Sequence, residues 1–243
     1  MSARASERLV DASIPDDPAL DALVAPYSGK VRELEVVIGR LDGELKKDGI
    51  GGGTLGNFVA DALRARAGAI TGKPVDLVII NKGGLRKNAI APGELRVMDI
   101  FELLPFENAL VTVELTGEQV RRLLDVMMAD DEPAQSGARI TYRTLTEEKE
   151  EIASVRLKGA DGTEKELVPA QTYTVVTIDY LVNRGGDYSV ILKSSKNIQP
   201  LNVTMRDAVI AYVKAATASG QAIKATLDGR YLPLIPAKEK ETK

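Results

Sequence analysis

The sequence contains no histidine among its 243 residues. A triad in which histidine activates a nucleophile therefore cannot be built from this chain. Most zinc and two-metal hydrolase sites also use imidazole ligands. We therefore expect no catalysis of these kinds from this chain alone.

Cysteine is absent as well, and phenylalanine occurs only at positions 58, 101 and 106. Without cysteine there are no thiolate metal ligands, and the lack fits a cytosolic protein and an exported bacterial protein equally well. No apolar run approaches the roughly 18 residues that a membrane span requires. The charged segment Met1–Leu20 has no apolar core of the kind found in a signal peptide. A formal net charge of −3 argues against a general nucleic-acid binder, which needs a basic face.

The hydrophobic fraction of 44% allows a sizeable core. Apolar positions in Pro18–Leu34 recur at helical spacings, which predicts an amphipathic helix interrupted near Pro26–Gly29. Three more helices are predicted, at Leu55–Ala67 with Thr54 as N-cap, from Thr116 to Met128, and at Met205–Ala216.

Alternation and β-branched residues predict six strands, at Val36–Gly39, Val75–Ile80, Ala109–Leu115, Ala138–Tyr142, Ser154–Leu157 and Tyr173–Ile178. Asp161-Gly162 predicts a hairpin turn between Val155–Lys158 and Glu164–Leu167. The charged run Glu147–Glu151 predicts a solvated loop.

No repeat and no strong linker divides Pro18–Pro236, so the sequence predicts one α+β domain in which helices flank a mixed β-sheet. Residues 1–17 are charged and small, and predict a flexible arm. Residues 237–243 are too charged to pack, and predict a disordered tail.

The most informative stretch runs from Val75 to Leu115. Its first strand breaks into the polar loop Asn81–Arg86, where two glycines would let the backbone approach a ligand. Arg86 would add a permanently charged fork suited to phosphate, unless it pairs with Glu94 or Asp99 instead. About twenty residues after the loop begins, Pro-Phe-Glu-Asn stands at the mouth of the next strand.

These motifs together resemble the C-terminal domain of the 5′-nucleotidase family, which includes the UDP-sugar hydrolases. The resemblance rests on NKGGLR, then GEL, then LLPFENALVTVELTGEQV, and it continues on both sides. TLGNFVADAL resembles that domain's opening helix, Ser-Gly-Ala at 136–138 its mid-domain turn, and YTVVTIDYLVNRGGD its closing aromatic–GGD motif. The similarity covers about residues 18 to 235, with the motifs in the family's order.

The resemblance implies a domain that binds the nucleoside end of a nucleotide and presents its phosphate to a separate metal-bearing domain. Aromatic rings suit this role because stacking on a base contributes on the order of 1–3 kcal/mol per base. Phe106 matches the first stacking ring, Tyr180 the second, and Asn108 the amide that bonds the base. Gly137 matches a nearby backbone contact, and Asp187 the carboxylate that takes the ribose hydroxyls.

In the central loop, Asn81 and Arg86 match the polar pair that faces ribose and phosphate. Some of the seven matched residues also have a structural explanation. Phe106 and Tyr180 would equally suit a core, and Asp187 could be a turn residue that bonds its own backbone.

The sequence departs from the family pattern at both ends of the proposed site. Relatives carry an arginine shortly before the opening helix, whereas that position falls here near Gly49, with only Lys46 and Lys47 as nearby cations. The closing motif has one extra residue between Tyr180 and the glycine pair. These departures bear on nucleotide affinity rather than on the fold.

Two functions therefore stay open. The first is the recognition module of a 5′-nucleotidase in nucleotide catabolism, standing without the metallophosphatase domain, with a separate metallophosphatase subunit supplying catalysis and the divalent metals. The second is a non-enzymatic nucleotide-binding or scaffold module with no hydrolase partner. In both, this chain itself holds no cofactor, binds no nucleic acid and spans no membrane. By resemblance the location is periplasmic or secreted. Independent catalysis is disfavoured because no DxD- or ExxE-type cluster stands beside the proposed pocket.

Overall fold

The computed structural model describes residues 7, 9, 11, 13–130, 132–146, 149–159, 161–195 and 197–234. The described helices are α1 Pro18–Leu34, α2 Gly53–Thr71, α3 Val97–Leu103, α4 Gly117–Asp130, α5 Asp179–Arg184, α6 Asp187–Lys193 and α7 Met205–Ala218. The described strands are β1 Val37–Leu41, β2 Leu45–Lys46, β3 Leu77–Ile80, β4 Ala89–Ile90, β5 Gly93–Arg96, β6 Ala109–Thr116, β7 Ala134–Ser136, β8 Ala138–Thr146, β9 Lys149–Lys158, β10 Glu164–Glu166, β11 Thr172–Ile178, β12 Ile198–Thr204 and β13 Tyr231–Pro233.

A five-stranded sheet in the order β12-β6-β11-β3-β7 forms the centre of the fold. Strand β11 runs parallel to β3, and the other neighbours are antiparallel. All four residues of β3 are buried, as expected for a central strand rich in aliphatic side chains. Helix α2 packs against β3, β7 and β11, and α7 packs against α2 and β12. The predicted α+β class with a mixed sheet flanked by helices is confirmed.

A second sheet in the order β10-β9-β8-β13 extends the domain. The predicted hairpin is confirmed, because β9 and β10 pair antiparallel from Lys158 opposite Glu164, and Gly162 between them has a φ of +80°. The predicted loop at Glu147–Glu151 is wrong from residue 149 onward. Strand β9 already begins at Lys149, where cross-strand pairing with β8 outweighs the low strand propensity of charged residues. Residues 147 and 148 lie outside the described part.

Helix α2 begins differently from the prediction. Its N-cap is Gly52, in the left-handed conformation at a φ of +74°, and not Thr54. The Thr54 hydroxyl instead accepts a hydrogen bond of 2.8 Å from the backbone N–H of Lys46. A run of glycines supplies the left-handed backbone at no steric cost, so the helix starts one residue before the threonine.

Helix α1 has the predicted bounds, and Asp17 caps it by accepting from the N–H of Ala19 at 2.8 Å. The predicted interruption is wrong, because the helix continues through Pro26. None of its residues is buried, and its large apolar side chains are between 48% and 69% exposed: Leu20, Leu23, Val24, Tyr27 and Val31. An apolar helix face of this size is usually covered by another surface.

No helix in the described part of the chain is long and apolar enough to cross a membrane. The predicted tail at 237–243 lies wholly outside the described residues, and the predicted arm at 1–17 lies partly outside them. Both segments therefore stay predictions.

Candidate functional site

The strand register brings three loops to one edge of the five-stranded sheet. Strands β3 and β11 run parallel, with Val78 opposite Val176, so the residues that follow both strands leave the sheet on the same side. Strand β6 runs the opposite way, with Leu110 opposite Ile178, so its entrance lies at this edge too. This edge carries Asn81, the segment 105–108 and Tyr180. We call it the loop edge.

Phe106 stands at the loop edge with 48% of its surface exposed, which excludes a core role. The guanidinium carbon of Arg86 lies 5.8 Å from the centroid of its ring, at cation–π distance. Arg86 also donates to the carbonyl of Gly83 at 3.3 Å. The predicted site residues Arg86 and Phe106 are therefore brought into contact.

The alternative pairing of Arg86 with an acid is not what the structure shows. Glu94 bonds Arg96 at 2.8 Å, and Asp99 lies 3.5 Å from Lys87. The guanidinium of Arg86 is exposed and lies beside an exposed aromatic ring. The guanidinium could bind an anionic group at the loop edge, and the exposed ring could stack on a planar group.

Asn81 ends β3 and precedes a 3₁₀ turn at Lys82–Gly84. Its side-chain oxygen is buried and has no hydrogen-bond partner among the described residues. A buried acceptor without a donor costs stability, and such atoms are rare in folded proteins. Asn81 lines none of the described cavities, so its predicted contact with ribose stays a prediction.

Asn108 and Tyr180 line one small cavity of about 210 Å³ at the loop edge. Tyr180 is 46% exposed, so the core alternative is excluded for this ring too. The cavity also contains Asp179, Asn183 and Arg184, which the sequence analysis did not single out. The sequence signal that could have identified them is their position next to Tyr180 in the closing motif.

Asp179 connects the start of α5 to the start of β6. One of its carboxylate oxygens accepts a hydrogen bond of 3.0 Å from the N–H of Ala109, the residue after Asn108. This bond fixes the start of α5, and with it Tyr180, against the start of β6. The amide of Asn108 and the ring of Tyr180 are thus held on one rigid support.

Asp187 lies apart from this cavity. It is the exposed first residue of α6 and lines a different cavity of about 520 Å³ together with Asp130, Gly186 and Tyr188. The hydroxyl of Tyr188 bonds Asp130. The structure therefore does not bring Asp187 into one cavity with Asn108 and Tyr180, and its predicted contact with ribose stays a prediction.

Gly137 lies at the opposite end of the sheet. Strand β7 pairs antiparallel with β3, so that Ser136 is opposite Val78, and a Cβ on Gly137 would lie 2.2 Å from the carbonyl oxygen of Asp76. Asp76 precedes Asn81 by five residues, which is about 16 Å along a strand. Gly137 instead lines a separate cavity of about 520 Å³ with Arg64 and Arg139, and its predicted ligand contact stays a prediction.

The resemblance places the family's missing arginine near Gly49, in the glycine-rich segment that leads into α2. Gly51, Gly52 and Gly53 are buried. The side chain of Lys47 reaches across this region and donates to the carbonyl of Leu85 at 2.8 Å. Lys46 instead pairs with Glu44 at 3.0 Å. Of the two lysines, Lys47 is the one directed toward the central loop.

A cluster of charged side chains joins the segment 228–230 to α2 and β7. Arg230 donates to Asp61 and to Asp228 at 2.9 Å each, and also to the carbonyl of Gln135 at 2.8 Å. Burial opposes the charge of Arg230, but these carboxylates outweigh burial and hold the pKa of its guanidinium above the ordinary value. Asp61 is thus committed to an ion pair within the domain.

The same cluster predicts an acid-dependent loss of stability. Burial would raise the pKa of Asp228, but the hydrogen bonds and charge of Arg230 hold it below the ordinary value of 3.8. A depressed carboxyl pKa stabilises the fold above that value, and the contribution is lost as pH falls through the lower, folded pKa. We expect Asp228→Asn to lower the free energy of unfolding at pH 7 by about 0.5–1 kcal/mol, since this carboxylate is partly solvated.

The measurement is urea unfolding of both proteins between pH 2 and 7. The difference between them should shrink below pH 3.8. The exposed Asp16→Asn serves as the control and should leave the pH profile unchanged. A constant difference down to the lowest pH would contradict the pairing.

Among the residues that the structure describes, no three or more acidic, histidine or cysteine side chains lie close enough together to hold a metal ion. The donors at the loop edge are amides, an aromatic hydroxyl and a guanidinium. These groups suit a polar organic anion better than a divalent cation.

Comparison of the sequence with known protein families finds a match. A family model described as 5′-nucleotidase, C-terminal domain, matches residues 31–193. The chain is 27% identical over 147 residues to the trifunctional nucleotide phosphoesterase protein YfkN of Bacillus subtilis, covering 58% of this chain and 10% of that protein. It is 29% identical over 204 residues to endonuclease YhcR of the same organism, covering 81% of this chain and 15% of that protein.

Among solved structures, the 5′-nucleotidase precursor from Thermus thermophilus has the same fold, with a TM-score of 0.75 and 23% identity. The similarity covers 90% of this chain and 43% of that one. This chain thus spans well under half the length of each of these three proteins. The matched residues include the loop edge with Asn81, Phe106 and Tyr180. The chain belongs to the family of 5′-nucleotidase C-terminal domains.

Proposed function

We propose that this domain recognises the nucleoside end of a nucleotide, with the base held by Phe106 and Tyr180 at the loop edge. The observation that supports the proposal is the exposure of these two rings, 48% and 46%, one in the segment before β6 and one in α5, which border the same edge of the sheet. Exposed rings and an amide at one edge suit a base, which offers a π-face and a hydrogen-bonding edge.

The remaining polar groups fit the rest of a nucleotide. Asn81 would accept from a ribose hydroxyl, provided that binding makes its buried side-chain oxygen accessible. Arg86 and Lys47 would lie toward the phosphate, where a fork and a point charge both favour an anion. In this arrangement the domain contributes binding and orientation, and no bond is made or broken by its own residues.

Calorimetric titration of the purified chain with adenosine, AMP and UDP-glucose tests this proposal. Saturable binding of at least one ligand is expected, with AMP tighter than adenosine because the phosphate adds charge-assisted contacts. Absence of heat from all three at millimolar concentration would overturn it.

Catalysis is proposed to come from a metallophosphatase unit outside these 243 residues, which would also hold the divalent metals. The supporting observation is the exposed apolar face of α1, whose last four residues overlap the start of the region matched by the family model. The similar structure from Thermus thermophilus is more than twice as long as the part this chain covers, which leaves a further unit in that protein. By analogy with exported relatives, we propose a periplasmic or secreted location.

The docking face can be tested by substitution of Leu23, which is 69% exposed. Leu23→Glu should leave the free energy of unfolding within about 0.5 kcal/mol of the wild type, as for other surface changes. It should also weaken co-purification with a co-expressed metallophosphatase unit of this family. Equal recovery of that unit with both proteins would exclude α1 as its docking face.

We expect the chain alone to release no phosphate from AMP, with or without added Mn²⁺. Its described residues offer no cluster able to hold a metal, and the whole chain has no histidine. Phosphate release above a heat-inactivated control would contradict this expectation. The measurement should use a preparation freed of contaminating phosphatases by a second chromatographic step.

A non-enzymatic binding or scaffold module is the second candidate. It is favoured by the separation of Asp187 from the cavity that contains Asn108 and Tyr180. In this arrangement a ribose could not be held both by Asp187 and by the cavity that contains Asn108 and Tyr180. Saturable AMP binding together with no association with any metallophosphatase unit would favour a binding module, and no binding at all would favour a scaffold.

A further inference from the structure

Arg206 occupies an unusual position for a charged residue. It is the second residue of α7, and only 8% of its surface is exposed. A buried cation is costly unless it is well paired, and a cation in the first turn of a helix also opposes the helix dipole. The general requirements of folding do not explain an arginine here.

Its partners lie on both sides of Phe106. One nitrogen of the guanidinium donates to the carbonyl of Pro105 at 3.4 Å, and another donates to the carboxylate of Glu107 at 3.3 Å. The guanidinium carbon also lies 3.9 Å from the centroid of the Phe101 ring on α3. Arg206 therefore spans α3, α7 and the residues before and after Phe106.

A neighbouring backbone contact supports the same segment. The N–H of Met205 donates to the carbonyl of Asn108 at 2.8 Å. The first two residues of α7 thus hold Pro105, Glu107 and Asn108. We call the segment Pro105–Asn108 the Phe106 loop.

The ring of Phe106 is half exposed, and the ring contact described for it is with Arg86. Its direction is therefore set mainly by the backbone of the Phe106 loop. We propose that Arg206 is a positioning residue, which holds this loop so that Phe106 and Asn108 are preorganised for a nucleoside. The proposal rests on the function proposed above. A preorganised loop binds more tightly because less conformational freedom is lost on binding.

The hydrogen bonding of Arg206 is incomplete. Its effect on the position of the Phe106 loop can therefore be measured separately from its effect on stability. Its Nε is buried and has no hydrogen-bond partner among the described residues. The side chain of Glu107 is 79% exposed, so this ion pair is half solvated. An unbranched apolar side chain would pack on Phe101 without these penalties, so Met at this position should preserve stability.

The experiment compares wild type with Arg206→Met, using adenosine titration and hydrogen exchange of the backbone amides of Ala109 and Met205, which are hydrogen-bonded at 3.0 Å and 2.8 Å. Arg206→Met is expected to bind adenosine about tenfold more weakly and to exchange these amides faster, with little change in melting temperature. Arg206→Lys keeps the charge but not the fork, and should recover part of the affinity. Arg122→Met, at an exposed arginine on α4, is the matched control and should change neither readout.

A double-mutant cycle distinguishes positioning from direct contact. If Arg206 acts through Phe106, then Arg206→Met should weaken binding less in a Phe106→Ala background than in the wild type. Equal losses in both backgrounds would show that Arg206 acts independently of the ring and would overturn the proposal. So would unchanged affinity together with unchanged exchange.

The two proposals fail in different ways. If the wild type binds no nucleoside, the proposed function fails, whereas the exchange of the Ala109 and Met205 amides still decides whether Arg206 holds the loop. If Arg206→Met lowers the melting temperature strongly, Arg206→Lys takes its place in both measurements. Unchanged exchange in that variant would then exclude the positioning role of the fork.

Discussion

Replacing Gly137 with alanine is expected to lower the free energy of unfolding by roughly 2–6 kcal/mol, combining the costs of backbone strain and overpacking. Gly137 has a φ of +110°, which residues with a side chain rarely adopt. An added Cβ would lie 2.2 Å from the carbonyl oxygen of Asp76 and 3.1 Å from the guanidinium carbon of Arg64. Neither neighbour can move freely, since Asp76 leads into a buried strand and Arg64 donates to the carbonyls of Val75 and Lys158 at 2.9 Å each.

Gly43→Ala is the matched control for this prediction. Gly43 has a similar φ of +122°, but an added Cβ would meet no atom within 4 Å. The difference in free energy of unfolding between the two variants therefore measures the steric clash of the added Cβ, because the backbone strain is common to both. We expect Gly137→Ala to be the less stable by about 1–3 kcal/mol.

The same variant decides how the predicted ligand contact of Gly137 should be interpreted. If Gly137 is structural, any Gly137→Ala protein that remains folded should bind adenosine as the wild type does. A stable Gly137→Ala protein with much weaker binding would contradict this and would restore the contact implied by the family resemblance.

The fold was largely predictable because its signals are local. The aliphatic run at Val75–Ile80 predicts a buried strand, and the structure shows all of β3 buried. Asp161-Gly162 predicts a hairpin, and the φ of Gly162 is the positive value that such a turn needs. Helix α4 also begins where the sequence predicts it, and there Thr116 and Gln119 cap each other.

Errors arose where a long-range contact overrode a local preference. Thr54 is a good N-cap by type, but its hydroxyl is taken by the backbone of Lys46 on β2. The charges at Lys149–Glu151 favour a loop, but pairing with β8 makes them a strand. Sequence spacing carries no information about these partners.

The site was predictable as a set of residue types more than as an arrangement. Asn81, Phe106, Asn108 and Tyr180 lie at one edge because each borders a strand of the same sheet there. Gly137 does not, because the antiparallel register of β7 carries it to the opposite end. Arg206 could not be found from sequence, since its partners at Pro105 and Glu107 are about a hundred residues away along the chain.

Replacing Phe106 with alanine is expected to weaken adenosine binding about 5- to 150-fold, corresponding to a stacking contribution of about 1–3 kcal/mol. The ring is 48% exposed, so its loss should change the free energy of unfolding by less than about 1 kcal/mol. Binding and stability should therefore separate clearly in this variant. For AMP the loss should be somewhat larger, because the ring also supports Arg86 at 5.8 Å.

Two further variants make the result specific to stacking. Phe106→Trp keeps an aromatic face and should retain most of the affinity, whereas Phe106→Leu keeps bulk without a π-face and should behave more like alanine. Tyr27→Ala removes a ring that is 65% exposed on α1, away from the loop edge, and should leave binding unchanged. If Phe106→Leu bound adenosine as tightly as the wild type, simple apolar burial would replace stacking as the explanation. If Phe106→Ala also bound normally while Tyr180→Ala did not, the base would rest on Tyr180 alone, and the affinity of the domain would depend on the cavity around Asn108 and Asn183.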